Sequence, residues 1–331
     1  MTYRPQLDSL RAIAVIGVMA SHFLPRVDRL APLGGMGVRL FYVLSGFLIT
    51  SILLSYGDRP LGNALKTFYA RRVLRIFPLF YFVLAVAALL DISVVRESLG
   101  WHLAYLSNAF IYRQGTWQGA VSHFWSLAVE EQFYLVWPWL VLGLAPARAM
   151  WIAGAMAVAA PVTVLLNPHP MASVLPTSCL DSLGLGALLA WPASRPGVMR
   201  WGARAGLPVL AASLAGRYLA VGGALADVGV GAGTSLVSAW LVGRAAEGFA
   251  GTTGRVLELR PLMYLGTISY GVYVYHAFVP YLMGRLFGAW GTAPSDWPWR
   301  FAVLSAVTIA LASVSWRVLE RPMLRLKARF V

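Results

Sequence analysis

The chain has 331 residues, of which 59% are hydrophobic and 12% are charged, and its mean hydropathy is +0.67. These values lie far from those of soluble globular domains and indicate a protein that resides in a bilayer. A net charge of +14 would suggest nucleic-acid binding in a soluble protein. Here the Lys and Arg residues fall in short segments between apolar runs, so the charge reports membrane topology instead.

Apolar runs predict an all-α, polytopic membrane protein with about ten transmembrane helices in one domain, residues 1–331. A shorter run from Trp101 to Tyr112 predicts an interfacial or re-entrant helix, which keeps the number of crossings even. We do not expect a cleaved signal peptide, because Asp8 and Arg11 interrupt the first run. The predicted spans are residues 8–24, 35–55, 74–92, 125–144, 149–166, 172–191, 205–222, 226–243, 262–284 and 299–318.

The distribution of basic residues predicts the orientation. With the N-terminus in the cytoplasm, three basic groups fall on the cytoplasmic side, whereas the predicted outer loops 167–171 and 288–298 contain no Lys or Arg. Both termini are therefore predicted to be cytoplasmic. The basic groups are Arg59, Lys66, Arg71, Arg72 and Arg75; Arg195, Arg200 and Arg204; and Arg321, Arg325, Lys327 and Arg329.

Arg11 and His22 lie in one apolar run. Helical geometry places them on the same face, about 16 Å apart. A buried arginine costs at least about 3 kcal/mol in a membrane helix, so it normally faces a wet cavity and an anion. Arg11 and His22 therefore form a candidate functional pair. Alternatively, Arg11 only pairs with Asp8 and His22 lies in the outer interface.

A basic cluster, Arg71, Arg72 and Arg75, is predicted at the end of a cytoplasmic loop, just before a helix. Arg72 and Arg75 are three residues apart and share a helical face. Such a cluster suits phosphate binding. It is equally the ordinary basic flank of a membrane helix, which meets anionic lipid head groups.

Glu130 and Glu131 are adjacent within the run that begins at His123, and carboxylates in such a run are costly without a partner. They point about 100° apart on a helix, so one is expected to face the bundle core and the other a wet outer surface or polar neighbours. At least one is expected to be functional. Alternatively, one neutralises a buried arginine for architectural reasons alone.

Tyr273 and His276 lie in the middle of a later predicted span, share a helical face and need polar partners there. His276 is either a site residue or a satisfied core histidine. No metal site is predicted, because no histidine has a helical His or Cys partner at metal-ligand spacing. We assign no role to the single cysteine, Cys179. The glycine-rich passage 222–233 favours tight helix packing over a nucleotide-binding turn.

Taken together, these motifs resemble the acyltransferase 3 family of multi-spanning bacterial membrane enzymes, which O-acylate sugars and some natural products. The resemblance runs nearly end to end, with Phe41-Tyr42 in place of the usual double aromatic pair, and suggests the stand-alone form without an esterase-like domain. It rests on Leu7-Asp-Ser-Leu-Arg11 with His22, the segment 37–49, Arg71-Arg72-Val-Leu-Arg75 with Pro78, the segment 123–134, Ile268 to His276, and Glu320-Arg-Pro322.

The resemblance implies a cytoplasmic acyl-CoA donor, typically acetyl-CoA, and no metal. Arg71, Arg72 and Arg75, helped by Arg11, are expected to hold its phosphates, while the thioester extends toward His22. His22 would act as a general base or carry the acyl group transiently, and Glu130 would orient His22 or the acceptor. Residues expected to support the substrate or the structure are Asp8, Ser45, His123, Trp125, Ser126, Glu131, Tyr270, Tyr273, His276 and Glu320.

The predicted function is O-acylation of a cell-surface or lipid-linked glycan, such as lipopolysaccharide, in the bacterial cytoplasmic membrane. The partners are acyl-CoA, the glycan acceptor and membrane lipids, with no nucleic acid. One alternative is acylation of a macrolide-like secreted compound. A different class, a proton-coupled transporter or flippase, also buries Arg, His and Glu, but the sequence lacks the repeats typical of carriers.

Overall fold

A computed structural model describes residues 4–92, 95–288 and 298–329, and within these ranges the chain forms helices and short connections without a strand. The predicted all-α architecture is therefore confirmed. The first nine helices are α1 Pro5–Phe23, α2 Pro25–Leu30, α3 Leu33–Leu54, α4 Leu61–Leu89, α5 Val95–Leu103, α6 Ser107–Gln114, α7 Phe124–Gly143, α8 Pro146–Leu166 and α9 Leu180–Leu188. The others are α10 Arg195–Trp201, α11 Leu207–Tyr218, α12 Gly223–Glu247, α13 Gly251–Leu257, α14 Arg260–Thr267, α15 Ser269–Tyr275, α16 Phe278–Phe287, α17 Pro298–Ser315 and α18 Arg321–Arg325.

Five helices in the described ranges are long and apolar enough to cross a membrane. The remaining predicted crossings correspond to helices that are shorter, because they are interrupted, or more polar, because they carry the ionisable residues. The predicted outer loop 288–298 lies almost entirely outside the described residues. The five apolar helices are Leu33–Leu54, Leu61–Leu89, Pro146–Leu166, Gly223–Glu247 and the continuous segment Pro298–Ala328.

Two predicted spans are interrupted. In place of a helix over 172–191, the chain makes two 3₁₀ turns and then the nine-residue α9. The span 262–284 is divided into α14, α15 and α16. Pro280 explains the second break, since it lacks an N–H for the carbonyl of His276 and its ring clashes with that carbonyl. The predicted interfacial helix from Trp101 to Tyr112 is also divided. Its residues form parts of α5 and α6, and the connection between them passes through Tyr105, which has a φ of 53°.

Helix α4 begins at Leu61, well before the predicted start at residue 74. Arg71, Arg72 and Arg75 therefore lie inside a helix, and their predicted position at the end of a loop is wrong. Pro60 precedes the helix, and the residues that follow are mostly good helix formers. A hydropathy scan omits this stretch because it is helical without being continuously apolar.

The centre of the bundle is held by close helix packing between α1, α3, α9 and α12. Gly46 of α3 lies directly against the backbone of Leu183, and Gly186 of α9 lies against the backbone of Val43. A side chain at either glycine would overlap main-chain atoms, so only glycine permits this separation. The glycine-rich start of α12 packs on α11, in agreement with the predicted packing role.

Candidate functional site

Two cavities lie inside the helical bundle. The first, here called the arginine cavity, contains Arg11, Arg72 and Arg75 and encloses about 1050 Å³ including its mouth. The second, the histidine cavity, contains His22 and His123 and encloses about 1310 Å³ including its mouth. Sequence-predicted site residues therefore converge from distant parts of the chain into two chemically different spaces.

A thin wall of side chains separates the cavities. Val38, Tyr42 and Tyr273 line both. The Tyr42 hydroxyl donates to the Ser126 carbonyl oxygen at 3.2 Å, and the Ser126 and Tyr273 hydroxyls hydrogen-bond to each other. The Tyr273 hydroxyl is also 3.1 Å from the His123 carbonyl oxygen. We call Tyr42, Ser126 and Tyr273 the tyrosine partition.

Aromatic rings hold the arginines of α4 in the arginine cavity. The Arg72 guanidinium lies 5.4 Å from the Tyr134 ring centroid and 5.8 Å from that of Phe68. The Arg75 guanidinium lies 5.3 Å from the Trp316 ring. In the described part of the chain, neither guanidinium forms a salt bridge. Cation–π contact positions these groups and leaves them able to bind an anion through hydrogen bonds.

Helix α1 carries one predicted residue into each cavity. Arg11 forms an ion pair with Asp8 and also lines the arginine cavity, so its pairing with Asp8 does not remove it from the candidate site. His22 lines the histidine cavity, and its Nδ1 lies 2.9 Å from the carbonyl oxygen of Val18. Because a carbonyl only accepts hydrogen bonds, this contact puts the hydrogen on Nδ1 and leaves the Nε2 lone pair available.

Glu130 occupies the arginine cavity, where its carboxylate accepts hydrogen bonds from the Ser45 and Tyr134 hydroxyls. The prediction that Glu130 orients His22 needs correction, since His22 lies in the other cavity and is not among these partners. The reason is the position of Glu130 along α7. Glu130 lies about two turns into α7, roughly 10 Å beyond the end where His123 meets the histidine cavity.

Glu131 also lines the arginine cavity and interacts electrostatically with Arg72. The expectation that one glutamate faces the core and the other a wet outer surface is therefore wrong. Gln132 provides the outward polar contacts instead, donating to the Tyr105 carbonyl oxygen at 2.8 Å and to Asn108 at 3.0 Å. Both carboxylates face a cationic space, which offsets the penalty of placing charge in the bundle.

Three histidines meet at the histidine cavity. The His276 ring lies edge-to-face against both His22 and His123, with ring centroids 4.7 and 4.8 Å apart. Its Nδ1 is 2.5 Å from the Tyr273 carbonyl oxygen, while His123 Nε2 is 3.1 Å from the Val274 carbonyl oxygen. His276 is completely buried, so it contacts His22 from behind and does not line the cavity. Among the described residues, no group of three His, Cys, Asp or Glu is arranged to hold a metal ion.

One ion pair at the histidine cavity was missed by the sequence analysis. Arg39 of α3 donates to Asp181 of α9 at 2.6 Å and to the Ser235 hydroxyl of α12 at 2.9 Å. Arg39 lines the cavity and Asp181 is buried behind it. The sequence did contain a signal for this pair. Arg39 and Asp181 have opposite charges and each lies inside an apolar run, and such residues pair in membranes.

The remaining predicted residues divide between the cavities. Tyr270 lines the arginine cavity and donates to the Ile76 carbonyl oxygen at 2.8 Å. Trp125 lines the histidine cavity. Glu320 is buried in the π-helical segment Trp316–Glu320 and interacts electrostatically with Arg75. Every one of these side chains therefore lies at a cavity wall or directly behind one.

Comparison with known proteins gives matches along nearly the whole chain. A family model described as an acyltransferase domain matches residues 4–317. A peptidoglycan O-acetyltransferase of Listeria monocytogenes is 28% identical across 97% of this chain and 56% of its own length. A putative peptidoglycan O-acetyltransferase of Bacillus subtilis is 29% identical across 97% of this chain and 55% of its own length.

A putative O-acetyltransferase of Staphylococcus aureus is 36% identical across 44% of this chain and 26% of its own length. The chain thus spans about half the length of the first two relatives. No solved structure matches it.

Proposed function

Since the chain belongs to the acyltransferase 3 family, we propose that it is an integral membrane O-acetyltransferase. It takes an acetyl group from acetyl-CoA bound in the arginine cavity and transfers it to a glycan hydroxyl bound in the histidine cavity. The observation that carries this proposal is the shared wall: Val38, Tyr42 and Tyr273 line both a cationic space and a histidine-lined space.

The arginine cavity suits the donor. Arg72 and Arg75 are one helical turn apart, and guanidinium groups bind phosphate through paired, charge-assisted hydrogen bonds. Along α1, Arg11 and His22 are separated by about 16 Å of helical rise. An extended pantetheine arm bridges a span of that order, so phosphates held near the arginines allow the thioester to reach the tyrosine partition.

His22 performs the chemistry in this proposal. Its Nε2 accepts the proton of the acceptor hydroxyl while that oxygen attacks the thioester carbonyl carbon. The tetrahedral intermediate then collapses, the carbon–sulfur bond breaks, and the thiolate of CoA takes the proton from the imidazolium. The alternative, in which Nε2 itself carries the acetyl group, uses the same nitrogen and the same Nδ1–H contact to Val18.

The tyrosine partition must open for either route, because the acetyl carbon has to pass from one cavity to the other. Its hydrogen bonds join side chains to one another and to the carbonyl oxygens of His123 and Ser126. Opening therefore requires Tyr42 and Tyr273 to rotate away from these partners. The partition excludes water from the thioester until an acceptor is present.

The histidine cavity suits a sugar. Trp117 and Trp125 offer aromatic faces, and Asp28 and Arg39 offer hydrogen-bonding groups at the same cavity. Two relatives are named peptidoglycan O-acetyltransferases, which favours a peptidoglycan-like acceptor over lipopolysaccharide or a macrolide. The basic segments favour the bacterial cytoplasmic membrane, with both termini and the arginine cavity on the cytoplasmic side.

The test is release of CoA thiol from acetyl-CoA by the purified, detergent-solubilised protein with peptidoglycan fragments as acceptor. Wild type is compared with His22→Ala, and His169→Ala serves as the matched control because His169 packs against the Tyr112 ring and lines neither cavity. We expect acceptor-stimulated release in wild type and the control but not in His22→Ala. Equal release by all three proteins would remove His22 from the mechanism, and no release by wild type would contradict the donor.

A further inference from the structure

The chain that follows helix α1 brings an aspartate back to the histidine cavity. Pro25 lacks the N–H that would continue α1 by bonding to the Ser21 carbonyl oxygen, so α1 ends and the chain continues as the separate short helix α2. Asp28 of α2 lies against the end of α1, where the Ser21 hydroxyl donates to Asp28 Oδ1 at 2.5 Å. Asp28, Ser21 and His22 all line the histidine cavity.

The Ser21 hydroxyl is confined by the facing helix. A Cβ atom at Gly34 of α3 would lie 2.7 Å from the Ser21 hydroxyl oxygen, which is closer than a Cβ atom approaches another atom. Glycine at this position therefore leaves the room in which Ser21 reaches Asp28. The resulting hydrogen bond fixes the Asp28 carboxylate next to the helix end that carries His22.

Asp28 keeps hydrogen-bonding capacity for a ligand. A carboxylate has about four acceptor sites on its two oxygens. Among the described residues, the Asp28 side chain accepts a hydrogen bond only from Ser21, through Oδ1, and it forms no salt bridge. Because an ionised carboxylate accepts and does not donate, a ligand at Asp28 has to present an N–H or O–H group.

The charges around Asp28 favour a neutral donor over an ammonium group. Arg26 and Arg29 flank Asp28 within α2 and are exposed, and Arg39 lies at the same cavity, paired with Asp181. These cations offset the attraction of the carboxylate for a positively charged ligand. A neutral N–H or O–H group meets no such opposition.

An acetamido group matches both the carboxylate and the rest of the lining. Trp117 and Trp125 line the same cavity and offer apolar aromatic surface. A sugar hydroxyl would use the carboxylate alone, whereas an acetamido group can donate its N–H to Asp28 and bury its methyl group against an aromatic face. The proposed peptidoglycan-like acceptor is built of N-acetylated sugars and presents this group.

We propose that Asp28 determines acceptor specificity by accepting a hydrogen bond from the acetamido N–H of an N-acetylated sugar in the histidine cavity. This inference rests on the proposed glycan acceptor and adds the group by which that acceptor is recognised. Ser21 is a positioning residue in this arrangement, because it holds the carboxylate beside His22.

The experiment measures dissociation constants for the purified full chain in detergent, in the absence of acetyl-CoA. The probes are the β-1,4-linked disaccharide of N-acetylglucosamine and an analogue in which an ester oxygen replaces each acetamido N–H. Wild type is expected to bind the acetamide about tenfold more tightly, from one charge-assisted hydrogen bond. Asp28→Asn should lose most of this preference. Asp58→Asn, at an exposed position that lines neither cavity, is the matched control and should retain it.

Each other outcome has a distinct meaning. If wild type binds neither disaccharide, the glycan acceptor of the proposed function fails, and the inference fails with it. If wild type binds both equally, or if Asp28→Asn keeps the full preference, the role of Asp28 is wrong while the glycan acceptor stands. If wild type binds the free-amine disaccharide of glucosamine most tightly and Asp28→Asn removes that preference, the carboxylate recognises a positive charge, which also overturns the inference.

Discussion

The His276 ring lies edge-to-face on His22, with centroids 4.7 Å apart, although the two residues are separated by most of the chain. The contact joins the C-terminal end of α1 to the break between α15 and α16. His22 is thus held between its own helix, through Val18, and a buried aromatic partner. A residue that transfers a proton benefits from such fixed orientation, because a small displacement of a reacting atom lowers the rate strongly.

His276→Ala should remove this support and lower kcat at least about tenfold, while the donor dissociation constant stays the same. His276→Phe restores the ring contact and should recover most of the rate. Steady-state kinetics and CoA binding on both variants provide the check. A Phe variant as slow as the Ala variant would mean that a ring nitrogen of His276, and not its packing, is what His22 needs.

Arg75→Ala should weaken acetyl-CoA binding about tenfold, because a charge-assisted phosphate contact is lost. Arg75→Lys should recover only part of the affinity, since an ammonium group cannot make paired contacts. Isothermal titration with CoA measures both. Arg59→Ala is the control, since Arg59 is outside the lining of the arginine cavity; an equal loss there would indicate a general charge effect.

Tyr42→Phe removes the hydrogen bond from Tyr42 to the Ser126 carbonyl oxygen and should loosen the tyrosine partition. Water from the histidine cavity would then reach the thioester, so acetyl-CoA hydrolysis without acceptor should rise several-fold. Thiol release in the absence of glycan measures it. Tyr270→Phe loses a hydroxyl contact to Ile76 elsewhere in the arginine cavity and should not raise hydrolysis; if both variants do, the partition is not the barrier.

Glu130→Gln should slow transfer at least about tenfold with little change in thermal stability. The amide keeps the shape and can still accept hydrogen bonds from Ser45 and Tyr134, but the negative charge that shares the cavity with Arg72 and Arg75 is lost. Without it the guanidinium groups are expected to shift from the positions in which they hold the donor. Initial rates and thermal unfolding in detergent are the measurements. Full activity in the Gln variant would leave Glu130 with a purely architectural role.

Asp181→Ala should destabilise the protein by about 3 kcal/mol, because Arg39 would remain in the bundle without its partner. The double variant Arg39→Met with Asp181→Leu should recover much of the stability, as removing both charges also removes the unpaired one. Denaturant titration in detergent tests this. If the double variant is less stable than Asp181→Ala, the ion pair contributes more than mutual neutralisation.

The sequence alone was sufficient for the helical membrane architecture and for several ionisable residues that gather at the cavities, because both follow from local signals. Apolar runs identify helices, and an ionisable residue within one is conspicuous. The depth of each residue along the bundle was harder to predict. The sequence motifs place Glu130 and His22 in one candidate site, but the two residues line different cavities. Their separation depends on how far α1 and α7 are shifted relative to each other along the bundle.

Contacts between distant segments were also beyond a single sequence. Nothing in the neighbourhood of His276 indicates that it will meet His22 and His123. The sequence marks Arg39 and Asp181 as residues that need a partner of opposite charge, but their pairing with each other depends on glycine contacts that bring α3 and α9 together. The arginines of α4 were misplaced for a different reason. Their helix begins in a polar stretch, which a search for apolar runs cannot include.

The tyrosine partition has a consequence for the energetics of the cell. Under the proposed function, it lies between a space open to CoA and a space open to the acceptor, and it is made of a few side chains. A two-carbon fragment can pass where a hydrated ion or a nucleotide cannot. The protein would thereby export acetyl groups without a continuous water-filled path, so the membrane potential and the cytoplasmic pool of CoA are both retained.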